Sequence, residues 1–228
     1  MPVEILAGRG RKRRRVGDLR LWTLGIGAMA SPRFAPAGLL VERSALRVMI
    51  DGGPAAEPAG RLAAWLVTDE ASELMPRIRD CAQARGLVPY AGSFRAPGLR
   101  IQHRRVVHTN HPTFAYLILA NRARVVWAPE FLKFPAWAAN ATLVFAEASS
   151  WSRPIRFRAG VGGHLDVLAV AKEAQRHRVR RLVFAHIGRP TIRALDRGES
   201  PPFGEFGAEG RCYLIRGRSC RSAAVRHS

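Results

Sequence analysis

The feature that most constrains this chain is a succession of short apolar runs, each bounded by turn residues, along most of its length. Such runs predict β-strands, because a strand buries apolar side chains over only about four to eight residues. We predict strands at Leu19–Leu24, Gly38–Val41, Ala45–Ile50, Ala63–Thr68, Arg104–His108, Phe114–Ala120, Val125–Ala128, Thr142–Ala146, Arg180–Ala185 and Cys212–Ile215. A chain with so many strands needs sheets that pack on one another or on helices.

Two segments have apolar residues at helical spacing instead. Ser72–Ala84 and His164–Arg176 each place their apolar side chains three to four residues apart, which predicts amphipathic helices. Runs of strands with a few helices and no internal repeat predict a layered α/β sandwich. From Thr191 onward proline, glycine and charged residues dominate, and the strand at Cys212–Ile215 is the last predicted element.

Length and composition limit the class of protein. The 228 residues are 47% apolar and 24% charged, which suits a folded domain and excludes bulk disorder. No uncharged apolar run reaches the roughly 18 residues of a membrane span. A basic run before Leu21–Ala28 imitates an export signal, but the apolar part is short and broken by glycine. The cysteines, Cys81, Cys212 and Cys220, form no C-x-x-C pair, so we expect a cytoplasmic protein with no membrane partner.

The net charge of +20 is concentrated at the two ends. Residues 1–20 carry seven basic and two acidic groups, and residues 211–228 carry five basic and no acidic groups. We predict a flexible basic arm at 1–18 and a flexible basic tail at 216–228, on either side of one domain at 19–215. Neither end interleaves aromatic side chains with its basic ones, so we expect at most weak, non-specific nucleic-acid binding there.

Acidic and histidine side chains recur where predicted strands end, which is a common position for functional residues in layered α/β folds. They are Asp51, Asp69, Glu73, His108, His111, Glu130, Glu147, His164 and His186. The acidic residues also fit turns and helix caps, and loop histidines are common without a metal. His164 is predicted to begin a helix, where backbone N–H groups favour anions. His186 ends an apolar strand and is the histidine that we most expect to be functional.

Several segments, taken in order, resemble the metallo-β-lactamase superfamily, and in particular its tRNase Z-like and phosphodiesterase-like branches. The segments are Leu24-Gly25-Ile26-Gly27, Ser31-Pro32-Arg33, Leu39-Leu40-Val41-Glu42, Met49-Ile50-Asp51-Gly52-Gly53, Phe114-Ala115-Tyr116, Val126-Trp127-Ala128-Pro129-Glu130, Phe145-Ala146-Glu147-Ala148-Ser149, Gly163-His164 and Arg181–Ile187. The resemblance spans residues 19–215. It implies a single domain with a four-layer αββα sandwich, in which two β-sheets pack face to face between outer helices.

The chain departs from the family at its signature motif. The expected His-x-His-x-Asp-His is replaced by Asp69-Glu70-Ala71-Ser72-Glu73-Leu74, so all three histidines are lost. The resemblance implies that the remaining metal ligands are Asp69, Glu73, Glu130, His186 and either His108 or His111. It also implies that Glu147 orients His164 as a proton donor.

The resemblance implies a hydrolase with an altered metal site that cleaves a phosphodiester or another ester. The carboxylate-rich ligand set favours Mn²⁺ or Fe²⁺ over Zn²⁺, with one ion bound or none. Without an ion, we expect at least one of Asp69, Glu73 and Glu130 to hold a proton at neutral pH. The implied substrate is a small or nucleotide-like anion. The alternative is a catalytically degenerate protein that keeps the fold for binding or regulation.

Overall fold

Two β-sheets pack face to face in the computed structural model of this chain, which describes residues 3–6 and 17–217. The first sheet contains β1 (Val3–Leu6), β2 (Leu19–Gly25), β3 (Gly38–Arg43), β4 (Leu46–Asp51), β5 (Ala64–Leu66) and β15 (Arg211–Ile215), in the order β1-β15-β2-β3-β4-β5. The second contains β6 (Phe94–Ala96), β7 (Leu99–Val106), β8 (Thr113–Ala120), β9 (Ala123–Ala128), β10 (Leu143–Ala148), β13 (Leu182–Ile187) and β14 (Glu205–Phe206), in the order β14-β13-β10-β9-β8-β7-β6. A separate hairpin joins β11 (Ile155–Arg156) to β12 (Gly163–His164).

The apolar side chains divide into three clusters that separate the layers. The central cluster lies between the sheets and includes Leu21 and Ile50 from the first sheet and Ile118 and Phe145 from the second. Helix α1 (Met75–Gln83) covers the outer face of the first sheet. Helices α2 (Val167–Arg176) and α3 (Arg189–Asp196) cover part of the outer face of the second. The predicted αββα sandwich is therefore confirmed.

Parallel strands in the second sheet place the candidate site at one edge. β9, β10 and β13 run parallel to one another, so their carboxyl ends lie together. Every residue of β10 and β13 is buried, as expected for central parallel strands covered on both faces. β4 and β5 are also parallel in the first sheet.

The helices differ from their predictions in bounds and number. The predicted helix at His164–Arg176 begins at Val167, because the Asp166 side chain accepts a hydrogen bond from the Ala169 N–H (3.0 Å) and caps it. His164 therefore does not begin a helix. Helix α3 was not predicted, because its buried face is only Thr191, Ile192 and Ala194, too short a pattern to distinguish from a loop.

The two ends differ from the prediction where the structure describes them. Val3–Leu6, inside the predicted arm, form β1 and pair with β15, because this apolar segment extends the first sheet. Arg216, in the predicted tail, forms an ion pair with Glu4 (2.6 Å). The rest of the arm and tail, residues 1–2, 7–16 and 218–228, lies outside the described residues, as does Cys220. Cys81 and Cys212 are free thiols. Among the described residues, no helix is long and apolar enough to cross a bilayer.

Candidate active site

A cavity of about 380 Å³ opens at the edge where the parallel strands end. Eight of the nine candidate residues line it, namely Asp51, Asp69, Glu73, His108, His111, Glu130, His164 and His186. The ninth, Glu147, is fully buried beside it, in contact with His164 and His186. The topology therefore brings together polar groups that are up to 135 positions apart in the sequence (Asp51 to His186).

The centre of the site is the Glu130 carboxylate, which two imidazoles approach. Its Oε1 lies 3.0 Å from His186 Nε2 and 3.8 Å from His108 Nε2. Glu130 follows β9, His186 lies in β13, and His108 precedes β8. Of the two histidines that the sequence left open, His108 is the one that reaches this group.

Glu147 orients the imidazoles from the buried side. Its Oε2 accepts a hydrogen bond from His164 Nδ1 (2.6 Å), and its Oε1 lies 3.4 Å from His186 Nδ1. The backbone N–H groups of Phe131 (3.2 Å) and Ser149 (2.8 Å) also donate to this carboxylate. These bonds involve both oxygens and fix the orientation of Glu147 against the two histidines.

The Nδ1 atoms of all three imidazoles have partners within the protein. His108 Nδ1 donates to the Gly163 carbonyl (3.0 Å), His164 Nδ1 donates to Glu147, and His186 Nδ1 lies 2.9 Å from Ser149 Oγ. In the neutral imidazole, a proton on Nδ1 leaves the Nε2 lone pair available as a ligand. Partners of this kind fix the tautomer of metal-binding histidines.

A bulge in β13 directs the His186 side chain. Ala146 pairs with Phe184 and Ala148 pairs with Ile187, so two residues of β13 lie opposite Glu147 alone. His186 adopts a left-handed backbone conformation there (φ 57°), which is uncommon and strained for a residue with a side chain. Bulges often re-aim a side chain near functional sites.

The charges in this cluster compensate one another. Burial alone would raise the pKa of Glu130, but the facing His186, His108 and His164 lower that pKa to about 2. Burial alone would lower the pKa of His186, but Glu130 and Glu147 raise it to about 10, so a metal ion bound at its Nε2 would displace a proton. Burial would also raise the pKa of Glu147, yet His164 and His186 hold it below its usual range. Of the three carboxylates at which the sequence predicts at least one proton, Glu130 is charged at neutral pH, because the imidazoles supply the compensating charge. The prediction stays a prediction for Asp69 and Glu73.

Asp51 is the carboxyl group of the cavity with a raised pKa. Burial raises its pKa to about 7, against hydrogen bonds that favour the charged form. Trp127 Nε1 donates to its Oδ2 (2.7 Å), and the Thr68 N–H (2.7 Å) and Oγ1 (3.0 Å) donate to its Oδ1. Asp51 thereby ties the end of β4 to the segment after β5 and to β9.

The segment that replaces the expected motif lines the cavity, and among the described residues none of its side chains forms a hydrogen bond or ion pair with His108, Glu130 or His186. Asp69 pairs with His111, whose Nε2 lies 2.8 Å from its Oδ2, and it also accepts from the Ala71 N–H (2.8 Å). Glu73 is exposed at the rim and has no polar partner among the described residues. Asp69 and Glu73 remain predicted metal ligands.

Two further residues of this site were not predicted from the sequence. Ser149 Oγ contacts His186 Nδ1 (2.9 Å) and lies 3.4 Å from His164 Nδ1. Arg189, in the first turn of α3, lines a second cavity of about 380 Å³ that also includes Glu130, His164 and His186. The position of Ser149, two residues after Glu147, was an available signal. Nothing in the sequence marked Arg189, because α3 was not predicted.

Comparison with protein-family models and with curated protein sequences finds no match. Solved structures do match. The metallo-beta-lactamase fold protein YhfI from Bacillus subtilis has a TM-score of 0.66 at 14% identity, over 87% of this chain and 100% of that one. A diphosphatase from the PhnP family scores 0.62 at 12% identity, over 87% and 98%. Zn²⁺-bound PqqB from Methylobacterium extorquens scores 0.61 at 13% identity, over 85% and 99%.

This chain has the metallo-β-lactamase fold. The alignments cover nearly all of each neighbour, so the two sheets and the helices belong to one fold unit. At these identities the likeness establishes the fold alone, and membership of the superfamily and of a branch within it remains a prediction.

The metallo-β-lactamase fold implies a divalent metal ion. Among the described residues, Glu147, His164 and His186 offer ligand atoms that all lie within 4.8 Å of one another, and His108 and Glu130 adjoin this group. His108 and His186 offer Nε2 atoms within 3.8 Å of Glu130 Oε1. The His164 ring stacks on that of His186 (centroids 5.5 Å apart) and contacts that of His108 (4.6 Å). Imidazole nitrogens with one carboxylate oxygen are ligands that Zn²⁺, Fe²⁺ and Mn²⁺ accept in proteins.

Proposed function

We propose that this protein is a metal-dependent hydrolase whose site holds one divalent ion on His108, Glu130 and His186. The observation that carries the proposal is that His108, His164 and His186 each bond an acceptor or hydroxyl group of the protein through Nδ1. These bonds hold the three rings through Nδ1 and leave the Nε2 atoms of His108 and His186 facing the Glu130 carboxylate.

The proposed reaction is hydrolysis of a phosphodiester or another ester. When bound, a divalent ion supplies Lewis-acid polarisation of a phosphoryl or acyl oxygen. Glu147 holds His164 through Nδ1, so that the His164 ring can deliver a proton from Nε2 to the leaving oxygen. Ser149 and Glu147 together fix the His186 ring.

The proposed substrate is anionic. Arg189 is exposed at the second cavity and has no acidic partner among the described residues. A guanidinium in that position suits a phosphate or carboxylate group of the substrate. The PhnP-family neighbour is a diphosphatase, which agrees with a phosphorylated substrate.

Metal binding and hydrolysis test this proposal together. The metal content of protein purified without added metal, and the melting temperature with Mn²⁺, Fe²⁺ or Zn²⁺, report binding, because an ion that binds only the folded state raises stability. Bis(4-nitrophenyl) phosphate and 4-nitrophenyl acetate report the two ester classes. We expect His186→Ala and Glu130→Gln to abolish the metal-dependent shift and the hydrolysis. His164→Gln should keep the shift and lose most of the hydrolysis.

His103→Ala is the matched control. His103 is exposed on β7 and contacts Ser93, outside the cavity, so this variant should retain both the shift and the activity. If none of the three ions binds the wild-type protein and neither ester is cleaved, the degenerate binding or regulatory function replaces this proposal.

A further inference from the structure

The sequence from the last turn of α1 to the residue after β9 has an unusual charge balance. Residues 81–129 include seven arginines and no aspartate or glutamate. This stretch contains β6, β7, β8 and β9, which form one side of the second sheet. No carboxylate from these four strands can therefore neutralise their arginines.

The strand register places three of these arginines in one row. Arg95 of β6 lies opposite Arg100 of β7, Arg100 opposite Leu119 of β8, and Leu119 opposite Arg124 of β9. Residues directly opposite one another point to the same face of a sheet, and like charges in such pairs are destabilising. Arg95 and Arg100 are exposed, and Leu119 packs with the outer-face cluster.

The row lines a concave surface rather than a flat one. A cavity of about 470 Å³ is bordered by Arg95, Arg100, Arg122 and Arg124. No acidic side chain of the described residues lies within ion-pair distance of these four. They surround the space with positive charge only, which is the arrangement of an anion-binding surface.

The dimensions of the row indicate more than one phosphate. Arg95 and Arg124 are separated by three inter-strand intervals of about 4.8 Å, or roughly 14 Å in all. That span exceeds a single phosphate group. Strand β9 runs from Arg124 toward Glu130, which places the row roughly 20 Å from the candidate active site.

An aromatic side chain adjoins the row. The guanidinium of Arg104 lies over the Trp137 ring (5.6 Å to the centroid), and Arg124 donates to the Trp137 carbonyl (2.9 Å). Trp137 is only half-buried. A basic groove next to an aromatic ring is the combination by which proteins bind single-stranded nucleic acids.

We propose that the outer face of β6–β9, around Arg95, Arg100, Arg122 and Arg124, binds the phosphate backbone of a single-stranded nucleic acid, with Trp137 stacking on a base. This surface is separate from the basic ends of the chain and from the candidate active site. It does not depend on hydrolysis or on a metal ion.

The test measures the anisotropy of a fluorescein-labelled 20-mer of deoxythymidine over a range of NaCl concentrations. The triple variant Arg95→Gln, Arg100→Gln, Arg122→Gln should lower the affinity by about 100-fold at 0.1 M salt. It should also flatten the slope of log affinity against log salt by about 2, because each single-strand phosphate contact contributes about 0.7. Trp137→Leu should weaken binding of the 20-mer and leave the slope unchanged.

The matched control removes three exposed arginines on helices α1 and α3, as Arg77→Gln, Arg79→Gln, Arg193→Gln. It has the same net charge as the test variant and the same basic ends, so we expect wild-type binding within about threefold and a wild-type slope. Urea denaturation should show that the test variant is at least as stable as the wild type, because a like-charge pair has been removed.

Three outcomes would overturn the proposal. Equal losses in the test and control variants would mean that net charge or the basic ends bind the nucleic acid. If polyglutamate displaced the 20-mer at an equal concentration of negative charge, the surface would be one that binds an acidic protein rather than a nucleic acid. If Trp137→Leu bound the 20-mer with unchanged affinity, Trp137 would not stack on a base, and the argument for a nucleic acid over another polyanion would fail.

Discussion

At the scale of single residues, Asp51 shows how burial and hydrogen bonding can oppose each other at one carboxyl group. Three donors from Trp127 and Thr68 favour the charged form, while desolvation favours the neutral form. Its backbone is also left-handed (φ 54°), at the point where β4 turns into Gly52 and Gly53. The same residue therefore fixes the turn and connects the two sheets below the cavity.

The raised pKa of Asp51 predicts a pH-dependent stability. The folded state keeps this proton up to about pH 7, whereas the unfolded state loses it near the ordinary value of 3.8. The folded state thus binds more protons between these limits, so the free energy of unfolding falls as pH rises through that window, by up to about 4 kcal/mol. Urea denaturation of the wild type and of Asp51→Asn from pH 4 to 8 measures this. The stability of the variant relative to the wild type should increase with pH, and a constant difference would contradict the prediction.

At the scale of elements, the short hairpin of β11 and β12 positions His108 and His164. The Gly163 N–H donates to the His108 carbonyl (2.8 Å), and the Gly163 carbonyl accepts from the His108 ring. A Cβ atom on Gly163 would lie 1.9 Å from the Ile155 carbonyl oxygen, at φ +148°. The two strands of the hairpin can pair this closely only because glycine stands at position 163. The approach to the loop before β8 depends on Gly162, where a Cβ atom would lie 1.7 Å from the His108 carbonyl oxygen.

Gly163→Ala should therefore lower the free energy of unfolding by about 3 kcal/mol, because the cost of overpacking adds to that of an unfavourable backbone conformation. Gly160→Ala is the control, since Gly160 also has a positive φ (+70°) but no atom within 4 Å of an added Cβ. It should cost only about 1 kcal/mol. Urea denaturation measures both free energies of unfolding. Equal costs for the two variants would show that the close approach of Gly163 does not constrain the hairpin.

At the scale of the whole molecule, charge is the dominant feature. The chain has 37 basic and 17 acidic residues, and an excess of one sign repels itself in the compact state. Salt screens this repulsion. We therefore expect the free energy of unfolding to rise by about 1 kcal/mol between 0.05 and 0.5 M NaCl, comparable to a few exposed ion pairs. Urea denaturation in NaCl measures the effect, and a fall in stability with salt would show that native ion pairs outweigh the repulsion.

The sequence alone determined the layered sandwich and most of its strands. Long apolar runs such as Phe114–Ala120 and Leu182–Ala185 could be predicted because their burial is encoded locally, in side-chain pattern. Elements whose own sequence carries only a short pattern were not predicted. Helix α3 and strand β1 have patterns too short to stand out, and they form because neighbouring elements cover or pair with them.

Part of the candidate site could likewise be predicted from the sequence, and part of it could not. The candidate residues were recognisable as polar groups at strand ends, and the structure places eight of them on one cavity. Only the tertiary structure decided that His108 rather than His111 reaches Glu130, and that a bulge turns His186 between two carboxylates. It also decided that Arg95, Arg100 and Arg124 share one row. Register and backbone conformation depend on contacts between residues far apart in the chain, and local sequence does not encode them.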